Sequence, residues 1–403
     1  MKKMIGIWVT CILLSACSIP KQITNKTKEP QEDFIESVGQ LIPNTYEFEY
    51  GSLIKINELF QNNNMKFIDE YLDTAFIGEK TVAIKYEQDT QLFKEEYTYN
   101  VVDTTKPLIW LSGSYSVTEG FDGDLTKKII CADNHDKSPN CYIEGQYDVN
   151  TPGSYRLTYN AEDDYGNTES IDFTLYVKRK NNVSSSNSSS TNRVRTKITD
   201  VIKKYKNEKT MIGIDVSKYQ GDIDWAKVKA AGVEFAMIRL GTQWYFGEEY
   251  IIDPYYEKNI QGALANDIKV GIYFYSYATD ANEGKKQAQY VLDNIKNYEV
   301  TFPIAFDWES FNAWNELGIS LFDLQSAANA FQDEIKNAGY TPIHYGSKNY
   351  LNAFWQPIKY DTWLAHYTIN QSDYDKDYIM WQLCNNGLVD GINGDVDINV
   401  YYK

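Results

Sequence analysis

The sequence predicts a multidomain fold, with all-β sandwich modules followed by an α/β unit, an abbreviated (β/α) barrel. Three observations carry this. Residues 44–178 alternate Tyr, Val, Ile and Thr with polar residues and lack helical periodicity, the period of half-buried strands. From Met211 onward, short apolar runs alternate with amphipathic stretches, as strand–helix units do. Between the two lies SSSNSSS at 184–190, a flexible-linker composition.

The chain begins with Met1-Lys2-Lys3 and an apolar run over 4–14, the outline of a secretory signal too short to span a bilayer. The following Leu14-Ser15-Ala16-Cys17 resembles the lipobox of bacterial lipoproteins. That resemblance implies a signal peptide over 1–16, lipid on Cys17 and a polar tether over 17–43. Acyl chains would then hold the protein on the outer face of a membrane, that of a Gram-positive bacterium, without a transmembrane helix. Of the other cysteines, Cys11 leaves with the signal, and Cys131 and Cys141 flank a turn-rich stretch where an oxidising exterior favours a disulfide. Cys384 sits in the apolar run MWQLC and reads as a buried small hydrophobe.

Two similar units fill the β region. TVAIKY at 81–86 and EEYTYNVVD ending at Asp103 parallel SYRLTY at 154–159 and IDFTLYVK ending at Lys178. This repeat predicts tandem β-sandwiches, over 44–104 and 105–179. The second, through its TPGSYRLTYNAEDDYGN hairpin, resembles the bacterial immunoglobulin-like modules of surface proteins. Asp122, Asp124, Asp163 and Asp164 match no calcium-loop spacing and read as solvated turn residues. The stretch 180–210 is a linker with a basic lead-in, RVRTKITDVIKKYKNEK, read as a solvated helix.

In 211–403 the apolar runs fall at 212–216, 235–240, 270–278, 302–309, 342–346, 362–367, 379–383 and 396–402. Helical patterns fit at 225–231, 254–265, 283–295 and 321–338, the last closed by Gly339. Eight strands with helices chiefly after the first four indicate a shortened barrel, whose chemistry belongs at the carboxyl ends of the strands.

Those ends carry acids. In TFPIAFDWES, Asp307 and Glu309 stand two apart on a strand and so share a face. Burying two like charges together holds one proton on the pair near neutrality, which glycoside hydrolysis requires. Asp215 closes the first strand and Asp397 lies in the last, strands that neighbour each other in a closed barrel. The net charge of −17 gives no electrostatic route to nucleic acid. The 33 Tyr and 9 Trp offer flat apolar faces that suit sugar rings as well as cores. Three histidines, including His344 and His366 on strands, supply no zinc spacing. No metal or cofactor is expected.

GIDVSKYQGDIDW, the Gly271–Tyr275 run GIYFY, DWE at 307–309, WLAHY at 363–367 and WQ with VDGINGDVDIN at 381–399 together resemble glycoside hydrolase family 25, the Chalaropsis-type lysozymes. The resemblance spans 211–403 and nothing upstream. It implies hydrolysis of the β-1,4 bond between N-acetylmuramic acid and N-acetylglucosamine in peptidoglycan. It makes Glu309 the general acid. Asp307 becomes the group that stabilises the reacting sugar or orients its 2-acetamido group, and Asp215 and Asp397 orient the pair. Candidate sugar contacts are Tyr275, Tyr367, Trp381, Tyr273, Trp363, Trp308, Gln382 and Arg239.

The expected protein is a monomeric, membrane-tethered peptidoglycan hydrolase. Its rivals are a non-catalytic wall-binding or adhesive lipoprotein and a hydrolase of a related amino-sugar polymer. Loss of Asp307 or Glu309 would be the signature of the first rival, and both are present.

Overall fold

The computed structural model describes residues 34–403 apart from 43–44, 61–63, 112–114, 181–193, 248 and 356. The signal segment, Cys17 and the SSSNSSS run lie outside the described residues.

Upstream of the barrel the chain folds as two β-rich units. The first centres on a long antiparallel hairpin, Gly78–Gln88 with Gln91–Val102. Its two-residue loop, Asp89-Thr90, has both residues at positive φ, the twist-matched turn that such hairpins favour. Phe48, Ile56, Phe60, Ile84, Tyr86 and Tyr97 form its core. The second unit repeats the device with Gly153–Glu162 and Thr168–Lys178, inside a four-stranded sheet accompanied by a two-stranded one. Cys131 and Cys141 are disulfide-bonded within it.

The carboxy-terminal unit is a closed barrel. Its strands are β1 (Thr210–Val216), β2 (Phe235–Gln243), β3 (Lys269–Ser276), β4 (Ile304–Trp308), β5 (Pro342–Ser347), β6 (Thr362–Ala365), β7 (Met380–Leu388) and β8 (Val396–Tyr402). The first seven run parallel, each to the next. β8 is antiparallel to both β7 and β1 and closes the ring. A hairpin joins antiparallel strands without a crossover, so no helix is needed between β7 and β8.

Strand period two sorts the side chains into two layers. Ile212, Ile214, Phe306, Trp308, Trp381 and Leu383 belong to the layer between strands and helices. Met211, Phe235, Met237, Ala305, Ile343, Trp363 and Met380 fill the lumen. Because both faces are covered, the strands read as continuous apolar runs rather than alternating ones.

Around the barrel lie α1 (Ile198–Tyr205), α2 (Trp225–Ala230), α3 (Tyr256–Leu264), α4 (Ala281–Ile295), α5 (Leu321–Asn337) and α6 (Lys348–Ala353). Asp224, Asp280 and Ser320 accept the first free amides of α2, α4 and α5, as N-caps do. Helices α4 and α5 pack so closely that a Cβ on Gly284 would stand 2.0 Å from the Ala327 carbonyl oxygen.

The basic lead-in differs from its reading as a solvated helix. Thr196 and Lys197 pair with the far end of β7, and α1 buries Ile198 and Val201 in the barrel's outer core. Lysines occupy the solvent side of an amphipathic helix whose apolar stripe is only two or three residues wide, too short to stand out from its charge. Among the described residues, no helix is long and apolar enough to cross a membrane.

The second β unit packs on the start of α5. Leu321 N–H donates to the Asp133 carbonyl (2.7 Å), satisfying one of the amides a helix start leaves free. The Asn315 side chain reaches the carbonyls of Lys127 and Ile129 and the amide of Cys131. Ile130 and Ala132 join the barrel's own core.

Candidate active site

The lumen is apolar at its base and polar at the mouth, for a reason legible strand by strand. Along β1 the inward positions are Met211, Gly213 and Asp215; along β4, Ala305 and Asp307; along β7, Met380 and Gln382. Glu309 comes one residue after the end of β4 and continues the same parity. Asp397 reaches this mouth from the opposite direction. β8 runs backwards, so its beginning rather than its end lies beside the end of β1, and Asp215 and Asp397 are register partners.

The mouth is a cleft of about 530 Å³ lined by all four acids. Tyr273, Tyr275, Trp363, Tyr367, Gln382 and Arg239 line it as well. Tyr367 is half-exposed at the rim, while Trp363 is buried at the floor.

Trp381 and Trp308 do not belong to the cleft. Each sits next to an inward residue, Gln382 and Asp307 respectively, so strand alternation turns it outward into the helix layer. Trp381 donates its indole N–H to the His366 carbonyl (2.9 Å) and packs edge-on against Tyr205 of α1. Parity alone excludes placing Trp381 and Gln382 in one cleft.

A chain of directed hydrogen bonds holds the Asp215–Asp397 side. The Trp363 indole, a donor only, gives its proton to Asn399 Oδ1 (2.8 Å). That turns Asn399 Nδ2 toward Asp215 Oδ2 (2.7 Å). Tyr345 OH donates to Gln382 Oε1 (3.0 Å), and Gln382 Nε2 donates to Asp215 (2.9 Å) and Asp397 (3.0 Å). Burial raises Asp215, while the two amide donors favour its charged form. Burial, and then the Asp215 charge, push Asp397 up to about 9. This pair keeps one proton at neutral pH.

The Asp307–Glu309 side is a second coupled pair. Asp307 is 5 % exposed and stands between Tyr275 and Tyr345 on the flanking strands. Burial, then the Glu309 charge and a hydrogen bond to it, raise Asp307 well above the ordinary range, and Arg239 partly offsets this. Glu309 is ringed by protein yet open to the water of the cleft; burial raises it, and a hydrogen bond from Asp307 lowers it. Both carboxyls are therefore raised, and the pair holds one proton between them.

Arg239 is anchored by Asp253, with Nε at 2.8 Å and a terminal nitrogen at 2.6 Å from one carboxylate oxygen. The same oxygen accepts the Lys218 amide (2.9 Å). Asp253, Tyr345, Asn399 and the rim residues Tyr219 and Tyr277 were not singled out in the sequence. Asn399 and Tyr345 carried a signal, since each shares strand parity with a cleft residue two positions or one strand away. Asp253, beyond a short strand over Tyr250–Ile252, carried none.

His344 is fully buried behind β5 and pushed down to about 3 by that burial, so it is neutral. His366 bonds Ser372 (2.8 Å), and Cys384 is buried and unpaired.

A closed barrel whose mouth holds two proton-sharing carboxyl pairs among tyrosines has the parts of a glycoside hydrolase. Comparison with known proteins agrees. Residues 214–392 match the family described as glycosyl hydrolases family 25. YegX of Escherichia coli K12 is 31 % identical over 201 residues, covering 48 % of this chain and 70 % of YegX. The autolytic lysozyme of Clostridium acetobutylicum is 28 % identical over 195 residues, covering 47 % of this chain and 56 % of that protein. A family 25 glycosyl hydrolase from Bacillus anthracis aligns in structure with a TM-score of 0.43 and 23 % identity, over 49 % of this chain and 92 % of that one. The chain belongs to glycosyl hydrolases family 25 and is a glycoside hydrolase.

Proposed function

We propose that this protein is a muramidase that cleaves the β-1,4 bond between N-acetylmuramic acid and N-acetylglucosamine of peptidoglycan. The convergence of Asp307 and Glu309 on one cleft is the observation that carries the reading, because that bond needs an acid at its leaving oxygen and a carboxylate beside the reacting sugar. Relatives that bear the name lysozyme support the substrate class.

Glu309 is the acid in this scheme, since it is the member of the pair open to the cleft. A sugar lying over it removes its water and raises its proton affinity, which settles the pair's proton on Glu309. The ionised Asp307, beside Arg239, then faces the positive charge at the reacting sugar or orients the 2-acetamido group. Asp215 and Asp397, fixed by Gln382 and Asn399, set the position of this pair and accept substrate hydroxyls. Tyr275 and Tyr367 supply sugar platforms.

Cys17 anchors the protein to the outer membrane face, and the β units hold the barrel away from the bilayer. Purified peptidoglycan digested by the protein, then reduced with borohydride and analysed by mass spectrometry, tests the bond assignment. Reduced muramic ends are expected, and reduced glucosamine ends would overturn it. Detergent-phase partitioning that survives Cys17→Ala would overturn the anchor.

A further inference from the structure

Away from the cleft, three aspartates converge where the two β units and the barrel meet. Asp103 directly follows the Gln91–Val102 strand of the first unit; Asp133 follows Ile130–Ala132 and Asp163 follows Gly153–Glu162, both in the second. One carboxylate oxygen from each lies within 4.8 Å of the others. Their exposures are 6, 1 and 6 %, so all three are more than nine-tenths buried. By sequence alone Asp163 reads as a solvated turn residue and no metal is expected; Asp103 and Asp133 are so remote from it along the chain that no spacing joins the three.

Backbone amides serve one oxygen of each. Thr105 N–H donates to Asp103 Oδ1 (3.3 Å), His135 and Asp136 N–H donate to Asp133 Oδ1 (2.8 and 2.7 Å), and Tyr165 and Asn167 N–H donate to Asp163 Oδ1 (2.9 and 2.8 Å). The Asn167 side-chain amide takes Asp163 Oδ2 (2.8 Å). Asp103 Oδ2 and Asp133 Oδ2 are buried with no donor, as is Oδ1 of the adjacent Asn134. The nearby lysines are engaged elsewhere: Lys106 pairs with Glu169 and Lys137 with Asp323. Among the described residues no salt bridge reaches any of the three aspartates. Buried carboxylates are paired, or they coordinate metals.

We propose that Asp103, Asp133 and Asp163 bind one divalent cation, and that the cation is Ca²⁺. The donors are hard carboxylate oxygens without nitrogen or sulfur, which selects Ca²⁺ or Mg²⁺ over zinc and later transition metals. They come from three separate segments with orphan oxygens in an irregular arrangement. Ca²⁺ accepts such a set, whereas Mg²⁺ demands near-ideal octahedral geometry. The site has a structural consequence. Asp103 ends the first unit, Asp133 and Asp163 belong to the second, and the carbonyls of Asp133 and Asn134 receive the Leu321 and Phe322 amides at the start of α5 (2.7 and 3.3 Å). One ion thus ties three parts of the chain at their common junction.

Calorimetric titration with CaCl₂ and thermal unfolding in Ca²⁺ or EDTA, on the full chain and on Asp133→Asn and Asp163→Asn, test this. The wild type is expected to bind one Ca²⁺ and to melt several degrees higher with it, by the linkage between binding and stability. Both variants should lose the binding and the shift. In EDTA they should melt at or above the wild type, because each removes one of three mutually repelling charges. A variant that merely damaged the fold would instead melt lower in both conditions, and that result overturns the proposal. So does a wild type that takes up no Ca²⁺, a variant that keeps stoichiometric binding, or an equal shift with Mg²⁺.

Discussion

Asp215 and Asp397 face each other directly across the antiparallel seam between the first and last barrel strands. Like charges at such a position are destabilising. The fold tolerates them by keeping one proton on the pair and by aiming two side-chain amides at Asp215. The cost of this pair to the barrel is measurable.

Asp397 stands at about 9 in the fold against an ordinary 3.8. A raised carboxyl contributes its full stability below the unfolded value and loses it as pH rises through the folded one. Asp397→Asn is therefore expected to match the wild type near pH 4. Its advantage should grow through pH 9, to about 1–3 kcal/mol at pH 8, while hydrolysis falls. Thermal unfolding of both proteins across pH 4–9 checks this.

Gln382 is the hinge of the network, with one amide group serving Tyr345, Asp215 and Asp397. Gln382→Leu keeps the volume and removes every bond, leaving buried oxygens without donors at a cost of about 1–3 kcal/mol. It also removes a bond that favours ionised Asp215, so the acid limb of kcat/KM, where Asp215 takes up a proton, should move to higher pH. Denaturant unfolding and a pH–rate profile read the two effects separately.

Tyr367 and Trp381 were read alike from sequence and are placed oppositely, one half-exposed at the rim and the other fully buried behind β7. Tyr367→Ala is expected to raise KM for glycan strands with little change in Tm. Trp381→Ala should cost about 3–5 kcal/mol before any effect on turnover. Steady-state kinetics beside thermal melts distinguish them.

Much of the barrel could be read in advance, because a strand buried on both faces leaves a continuous apolar run whatever surrounds it. The runs at 212–216 and 396–402 match β1 and β8 to within two residues. The four acids stood out because they interrupt such runs near the mouth. The reversed direction of β8 was not legible, since apolar runs carry no sign. Asp103 and Asp133 escaped notice because only the packing of three chain segments brings them beside Asp163.

The claim that Glu309 is the proton donor is tested most directly by comparing Glu309→Gln and Asp307→Asn on two substrates: glycan strands, and an aryl glycoside of the same disaccharide whose leaving group needs no proton. On glycan strands Glu309→Gln should lose about 10²–10⁴-fold in kcat/KM, and on the aryl glycoside it should recover most of that. Asp307→Asn should remain impaired on both. Equal losses by Glu309→Gln on the two substrates, with the protein folded, would contradict the assignment.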